Sequence, residues 1–97
     1  MIVSLGDKRS EDNFHGRSTK RARSFPQELS RIAARKLDMI NAAYRLDDLR
    51  VPSDNRLEAL RGELTGVYSI RVNNQRRIVL RWQDGQAADV TIVDDHR

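Results

Sequence analysis

The hydrophobic positions of this 97-residue chain follow two different periods. In the first half, apolar residues recur at helical spacing, and they follow Ser24 and Pro26, which suit the start of a helix. The pattern predicts an amphipathic helix that ends before Leu46. Its apolar stripe comprises Leu29, Ile32, Ala33, Leu37, Ile40 and Tyr44.

Shorter elements are predicted around this helix. Residues 1–5 are typical of a short edge strand, and Asp7 is a suitable N-cap for a brief helix through about His15. Residues 16–24, "GRSTKRARS", are polar and basic and are predicted to form a loop. Residues 46–55 contain proline, serine and aspartate, so they are predicted to form a loop as well.

The second half alternates apolar and polar residues, as β-strands do. The stretch "NNQR" favours a turn between the second and third strands, and Asp84-Gly85 is a strong signal for a hairpin between the third and fourth. Together with the helices, the pattern predicts one α+β domain over residues 1–97, with two N-terminal helices packed on a small antiparallel sheet. The predicted strands are 57–60, 67–73, 77–83 and 87–93.

Strand parity divides the predicted sheet into two faces. One face is apolar and is expected to be buried against the helix: Ile70, Val72, Ile78, Leu80, Trp82, Val90 and Ile92. The other face presents Ser69, Arg71, Asn73, Arg77, Arg81 and Thr91. Its three arginines would repel one another without an anion, which favours a ligand such as RNA phosphate. Neutralisation by acidic neighbours or by solvent is the alternative.

The overall charge favours the same class of ligand. Lysine and arginine number 18 against 14 acidic residues, for a net charge of +4. The lysines are Lys8, Lys20 and Lys36, so arginine dominates, and its planar fork suits phosphate better than a point charge does. This composition favours nucleic acid or an acidic partner. A solvated surface in an arginine-rich proteome would explain it equally well.

Several classes of protein are disfavoured by what the sequence lacks. It has no cysteine, which argues against disulfides and thiolate zinc sites, and its histidines, His15 and His96, are too few for a metal cluster. No apolar run approaches the roughly 20 residues that span a bilayer, and residues 1–5 are too short for a signal peptide core. The expectation is a cytoplasmic protein without a metal or a membrane partner.

Long ordered motifs connect the chain with a known family. "LDDLR.P..NRLEALRG", "YSIR.N.Q.RI..RW.DG" and "DV.IVD.H" belong to a set of matches that extends from Ile2 to His96. In this pattern the chain resembles the HigB branch of the RelE/ParE superfamily of type II toxin–antitoxin toxins. The resemblance implies a helix-turn-helix antitoxin, which alone would connect the toxin to operator DNA. It also implies cleavage of mRNA on the ribosome without a cofactor.

Such cleavage needs a group that deprotonates the attacking 2′-OH, a group that protonates the leaving 5′-oxygen, and cations that stabilise the phosphorane. By the resemblance, Arg77 holds the scissile phosphate and Arg61 occupies a second basic position. Arg71 and Arg81 share the face of Arg77 by strand parity. Arg61, Arg71 and Arg81 are therefore expected to bind RNA phosphates.

The proton-transfer groups are expected in two places. Glu58 stands where the family can carry a histidine, and it is a candidate general base; an exposed strand residue with no catalytic role is the alternative. The final "IVDDHR" matches the family's terminal Asp-Tyr-His at Asp94 and His96. The resemblance thus predicts Glu58, Arg77, Asp94 and His96 as catalytic residues.

Two departures from the family pattern bear on activity. Asp95 replaces the tyrosine, and its negative charge would repel a phosphate. Arg76 occupies a position that is often tryptophan, which removes a stacking surface. Two functions therefore remain open: an mRNA endonuclease, or a weakened toxin homologue that acts as an antitoxin-binding or RNA-binding module.

Overall fold

The computed structural model describes residues 1–17, 26–60, 62 and 66–94. Two α-helices precede a four-stranded antiparallel sheet with strand order β1-β2-β3-β4, which confirms the predicted α+β fold. In the described ranges, neither helix is both long and apolar enough to cross a membrane. The elements are α1 (Lys8–Phe14), α2 (Gln27–Ala42), β1 (Glu58–Ala59), β2 (Val67–Arg71), β3 (Arg76–Gln83) and β4 (Gln86–Asp94).

The two helices begin in different ways. The Asp7 side chain caps α1 as predicted, because its Oδ1 accepts the backbone N–H of Ser10 at 2.8 Å. Helix α2 begins at Gln27, directly after Pro26, and Ser24 lies outside the described residues.

The apolar stripe of α2 ends one turn earlier than predicted. The helix stops at Ala42, so Tyr44 does not belong to the apolar stripe, and it is 89 % exposed. The carboxylate of Asp48 accepts the backbone N–H groups of Tyr44 and Arg45 at 2.9 and 3.0 Å. These bonds satisfy the backbone outside a helix, so helical periodicity overestimated the length of the stripe by one turn.

The segment after α2 is more ordered than a plain loop. It contains two short 3₁₀ turns, Leu46–Arg50 and Ser53–Asn55. Leu49 and Asn55 are fully buried. The segment is therefore part of the packed structure, although its proline, serine and aspartate residues predicted only a loop.

The sheet has a sharp hairpin and a parallel N-terminal neighbour. Asp84 and Gly85 both have positive φ, 53° and 76°, as a two-residue hairpin turn of the predicted type requires. Residues 1–5 lie along the outer edge of β4 through parallel bridges from Ile2 to Ala87 and from Leu5 to Val90. The predicted edge segment therefore extends the sheet beyond β4.

A β-bulge in β4 changes which residues face the helices. Val79 pairs with Thr91, whereas Arg81 pairs with Ala88, so Leu80 faces two residues of β4. The extra residue is Asp89, whose φ is 52°. The bulge reverses the alternation along β4, which strand parity alone does not foresee.

The core lies between the helices and one face of the sheet, which we call the inner face. Six of the seven predicted core residues of the sheet are buried there; the exception, Trp82, only packs against the edge of the core and keeps part of its surface exposed. Trp82 pairs with Ala87 beside the hairpin turn, where the sheet ends. The buried sheet residues are Ile70, Val72, Ile78, Leu80, Ala87, Val90 and Ile92.

Candidate functional site

The opposite face of the sheet, which we call the outer face, collects the predicted arginines. Direct strand partners share a face, so the pairs Arg71–Arg77 and Glu58–Ser69 both belong to it. Arg81 lies on the same face, four residues along β3 from Arg77. The structure therefore brings together four of the residues that the sequence predicted for the site: Glu58, Arg71, Arg77 and Arg81.

Arg77 is held by neutral acceptors. Its Nε donates to Ser69 Oγ at 2.8 Å, and its Nη2 donates to the carbonyl oxygen of Arg56 at 2.8 Å. The side chain is only 15 % exposed, while Ser69 is buried beneath it. Within the part of the chain that the structure describes, Nη1 has no hydrogen-bond partner. The guanidinium is thus fixed in place with its charge intact and with donors to spare.

Glu58 lies beside this guanidinium without locking it. Its Oε1 is 3.9 Å from Arg77 Nη2, which is beyond hydrogen-bond distance, and its side chain is 59 % exposed. An ion pair of this exposure contributes about 1 kcal/mol or less. Glu58 is therefore free to exchange Arg77 for another partner, as a general base beside a phosphate site would need to do.

Arg71 and Arg81 are placed differently. Arg71 stands directly opposite Arg77, and its Nη2 donates to the amide oxygen of Asn74. Like charges in direct cross-strand positions repel, and an anion bound between them would remove that repulsion. Arg81 has an acidic neighbour, because its Nε is 3.8 Å from Oδ2 of the bulge residue Asp89. Among the described residues, an acidic side chain therefore lies beside Arg81 but not beside Arg71.

Asp94 faces the other way. It pairs with Arg76 across the strands, and their Oδ1 and Nε atoms are 2.8 Å apart. This pair lies two residues from Ile78 and Ile92, which are both buried on the inner face, so it shares their side of the sheet. Asp94 and Arg77 therefore point to opposite faces.

The remaining predicted site residues, Arg61 and His96, lie outside the described residues, as does Asp95. The catalytic and phosphate-binding roles stay predictions for all seven residues: Glu58, Arg61, Arg71, Arg77, Arg81, Asp94 and His96. In the described ranges, no group of three or more histidine, cysteine, aspartate or glutamate side chains is arranged to hold a metal ion.

Sequence reasoning missed a buried polar pair behind the site. Lys36 is only 6 % exposed, and its Nζ donates to Oδ1 of Asn55, which is fully buried. Lys36 lies three residues after Ala33 and four before Ile40, so it occupies the apolar stripe of α2. A cation on that stripe was the signal in the sequence. Its partner could not be recognised without the fold.

Comparisons with known proteins agree with this architecture. A family model described as the RelE-like toxin of the type II toxin–antitoxin system HigB matches residues 7–96. Toxin HigB-1 of Vibrio cholerae is 44 % identical over 97 residues, which cover 100 % of this chain and 99 % of that protein. An uncharacterized protein of Haemophilus influenzae is 38 % identical over 72 residues, which cover 74 % of this chain and 70 % of that protein.

A solved structure has the same fold at low sequence identity. A chain of the YoeB–YefM complex from Staphylococcus aureus superposes with a TM-score of 0.62 and 15 % identity, covering 100 % of this chain and 99 % of that one. At this level of identity the similarity shows the fold alone.

Proposed function

The chain belongs to the HigB branch of the RelE-like toxins of type II toxin–antitoxin systems, and from that premise we propose that it is a ribosome-dependent mRNA endonuclease. The observation that carries the proposal is the anchored Arg77 directly opposite Arg71 on the outer face. As a toxin of such a system, the protein has an antitoxin as its partner.

The reaction is a transfer within the RNA. The 2′-oxygen attacks the adjacent phosphorus, the bond from phosphorus to the 5′-oxygen breaks, and the products are a 2′,3′-cyclic phosphate and a 5′-hydroxyl. A base takes the 2′-OH proton and an acid returns a proton to the leaving oxygen. The negative charge that develops on the phosphorane is met by the guanidinium groups, so the proposed reaction needs no metal or cofactor.

Arg77 suits the stabilising role because it is oriented before the substrate arrives. Ser69 and the Arg56 carbonyl hold Nε and Nη2, and these acceptors are neutral. The exposed carboxylate of Glu58, 3.9 Å from Nη2, compensates the charge only weakly. Each charge-assisted hydrogen bond to phosphate contributes roughly 1.5–3 kcal/mol. Arg71 is the second phosphate ligand in this proposal, and Glu58 is the candidate base beside them.

The proposal extends to the cellular setting. The substrate is mRNA on the ribosome in the cytoplasm, and the antitoxin is of the helix-turn-helix type. Operator DNA is reached only through that antitoxin. These statements rest on the family to which the chain belongs.

A second function is favoured by the placement of Asp94. Its carboxylate is paired with Arg76 on the inner side of the sheet rather than beside Arg77. The following residue, Asp95, replaces the family tyrosine. A weakened toxin homologue that binds its antitoxin or RNA without cutting would tolerate both features, because binding requires only the positive outer face.

The two functions are separated by a cleavage assay. Purified protein is added to translating ribosomes that carry a defined mRNA, and cuts are mapped by primer extension. We expect cuts with ribosomes and none in free mRNA. A single 2′-deoxynucleotide at the cut position should abolish that cut, since the nucleophile is missing. Ribosome-bound mRNA that stays intact while the protein still binds an RNA oligonucleotide would establish the binding module instead.

A binding measurement tests the arginine face independently of cleavage. Arg71→Gln should weaken affinity for a single-stranded RNA oligonucleotide and reduce the slope of log affinity against log salt by about 0.7, because one phosphate contact is lost. Arg35→Gln is the matched control, because this substitution removes the same charge from an exposed position on α2. Equal slopes for both variants and the wild type would remove Arg71 from the site.

A further inference from the structure

Lys36 places a charge on the apolar stripe of α2. It is 6 % exposed, and its neighbours on the same side of α2, Ala33, Leu37 and Ile40, are fully buried. Burying a cation is costly, and a well-packed hydrophobic residue is often as stable or more stable. Stability alone therefore does not explain why a lysine is buried here, and the contacts of Lys36 indicate its role.

The principal contact of Lys36 is the side chain of Asn55. Nζ donates to Asn55 Oδ1, while the Asn55 amide nitrogen donates to the carbonyl oxygen of Leu49 at 3.2 Å. Lys36 Nζ also lies 3.8 Å from the carboxylate of Asp54, whose side chain is 68 % exposed. Both ends of a fully buried amide are thus occupied, which pins the turn Ser53–Asn55 to α2.

The pinned turn leads directly to the outer face. Arg56 follows Asn55 in the left-handed conformation, with φ 47°, which a residue other than glycine keeps only when its surroundings hold it. The carbonyl of Arg56 accepts the hydrogen bond from Arg77 Nη2 at 2.8 Å. The residue directly after the buried amide therefore supplies the carbonyl that orients the proposed phosphate ligand.

We propose that Lys36 is a positioning residue for Arg77, acting through Asn55 and the carbonyl of Arg56. Lys36 enters from the helix side of the molecule and never touches the substrate. Its effect on cleavage rests on the proposed function, whereas its effect on the orientation of Arg77 does not. Two readouts separate these consequences.

The first readout is the Nε–H signal of Arg77 in a ¹⁵N NMR spectrum. In the wild type this proton is bonded to Ser69 Oγ, and the guanidinium is clamped, so it should exchange slowly with water. Lys36→Met matches the length of the lysine stem without the charge. It should accelerate that exchange at least about 10-fold, because the Arg56 carbonyl no longer holds the guanidinium in place. The Nε–H of Arg81 is the internal control and should not change.

The second readout is kinetic. Lys36→Met should lower kcat about 10-fold with KM within about 2-fold, because a small displacement of Arg77 penalises the transition state more than binding. In an Arg77→Gln background the same substitution should have almost no further effect, since the residue it positions is gone. Equal losses in both backgrounds would reduce Lys36 to a general structural role and overturn the proposal.

The outcomes distinguish this proposal from the endonuclease itself. A wild-type protein that does not cleave, with the Arg77 signal changing as expected in Lys36→Met, refutes the endonuclease and supports the positioning role. A wild type that cleaves, with an unchanged Arg77 signal in a folded Lys36→Met, refutes the positioning role alone.

If Lys36→Met does not fold, Asn55→Asp carries the test. It keeps an acceptor for Lys36 Nζ while it removes the donor to Leu49. Slow exchange at Arg77 should then persist in the folded variant. Rapid exchange in the folded variant would show that the contact with Lys36 does not hold the turn in place, and it would overturn the role of Lys36.

Discussion

Two consecutive arginines show how differently the two faces of the sheet treat the same side chain. Arg76 belongs to the inner face, where its Nε is 2.8 Å from the carboxylate of Asp94. Arg77 belongs to the outer face, where Ser69 and a carbonyl group hold it without cancelling its charge. The inner cation is neutralised by its partner. The outer cation is oriented by neutral groups, and its carboxylate neighbour, Glu58, is 3.9 Å away and 59 % exposed, so it can give way to another anion.

The two arginines differ because the two faces of the sheet have different surroundings. The inner face packs against the helices, so a charge at its border is stable only when it is paired. On the outer face the side chains of Arg71 and Arg77 are partly exposed, and solvent can screen their charge until a ligand arrives. Comparing neighbouring residues of β3 is therefore a direct way to separate stability from function.

The largest expected effect contrasts Leu80 with its neighbour Val79. Leu80 is fully buried on the inner face, and Leu80→Ala should lower the free energy of unfolding by about 2–5 kcal/mol through lost burial and a residual cavity. Val79 is half-buried on the outer face, so Val79→Ala should cost about 1 kcal/mol. Urea unfolding of both variants measures the difference. Equal losses of unfolding free energy in the two variants would mean that the outer face is as tightly packed as the inner face, and the division into two faces would be wrong.

The next effect contrasts Arg77 with Arg76. Arg77→Gln should reduce ribosome-dependent cleavage by about 10²–10³-fold, as the loss of one preorganised donor to a developing oxyanion does. Arg76→Gln should leave cleavage within about 3-fold and cost about 1 kcal/mol or less of stability, because its ion pair with Asp94 is partly exposed. Primer extension and thermal unfolding on the same preparations give both numbers. A larger loss of cleavage in Arg76→Gln would put the working surface on the inner side.

A smaller effect concerns the residues that follow Asp94. Asp95→Tyr introduces the tyrosine that the family resemblance predicts at this position. It should raise cleavage by about 10- to 100-fold, because it removes a negative charge whose repulsion with phosphate is on the order of 1–3 kcal/mol. His96→Ala should lower whatever cleavage the wild type has. Cleavage that falls in Asp95→Tyr would instead make Asp95 a working acid or base, and the family-based roles at this end of the chain would be wrong.

The smallest effect comes from a carboxylate on neither face. Asp48 accepts backbone N–H groups from Arg45 and Tyr44, and these bonds lower its pKa from the ordinary value of 3.8. Because the folded pKa is the lower one, the stabilisation is present above about pH 3.8 and is lost as pH falls through the folded pKa. Asp48→Asn should therefore flatten the acid limb of the unfolding midpoint plotted against pH. Parallel curves for variant and wild type would contradict this assignment.

The sequence by itself determined the fold class and the division of the sheet into an apolar and a basic face. Alternation in β2 and β3 depends only on adjacent residues, and these two strands keep one register with each other, in which Ile70 pairs with Ile78. The Asp84-Gly85 turn and the Asp7 cap were also predictable, because both depend on residues adjacent in the chain.

Only the tertiary structure decided which charges meet. The bulge at Asp89 supplies an acidic neighbour to Arg81, the inward turn of Asp94 separates it from Arg77, and Asn55 becomes the partner of Lys36. These contacts join residues distant in sequence, and their energies depend on burial that exists only after folding. Local periodicity can assign a residue to a face, but the contact that gives it a role depends on the packing of the whole chain.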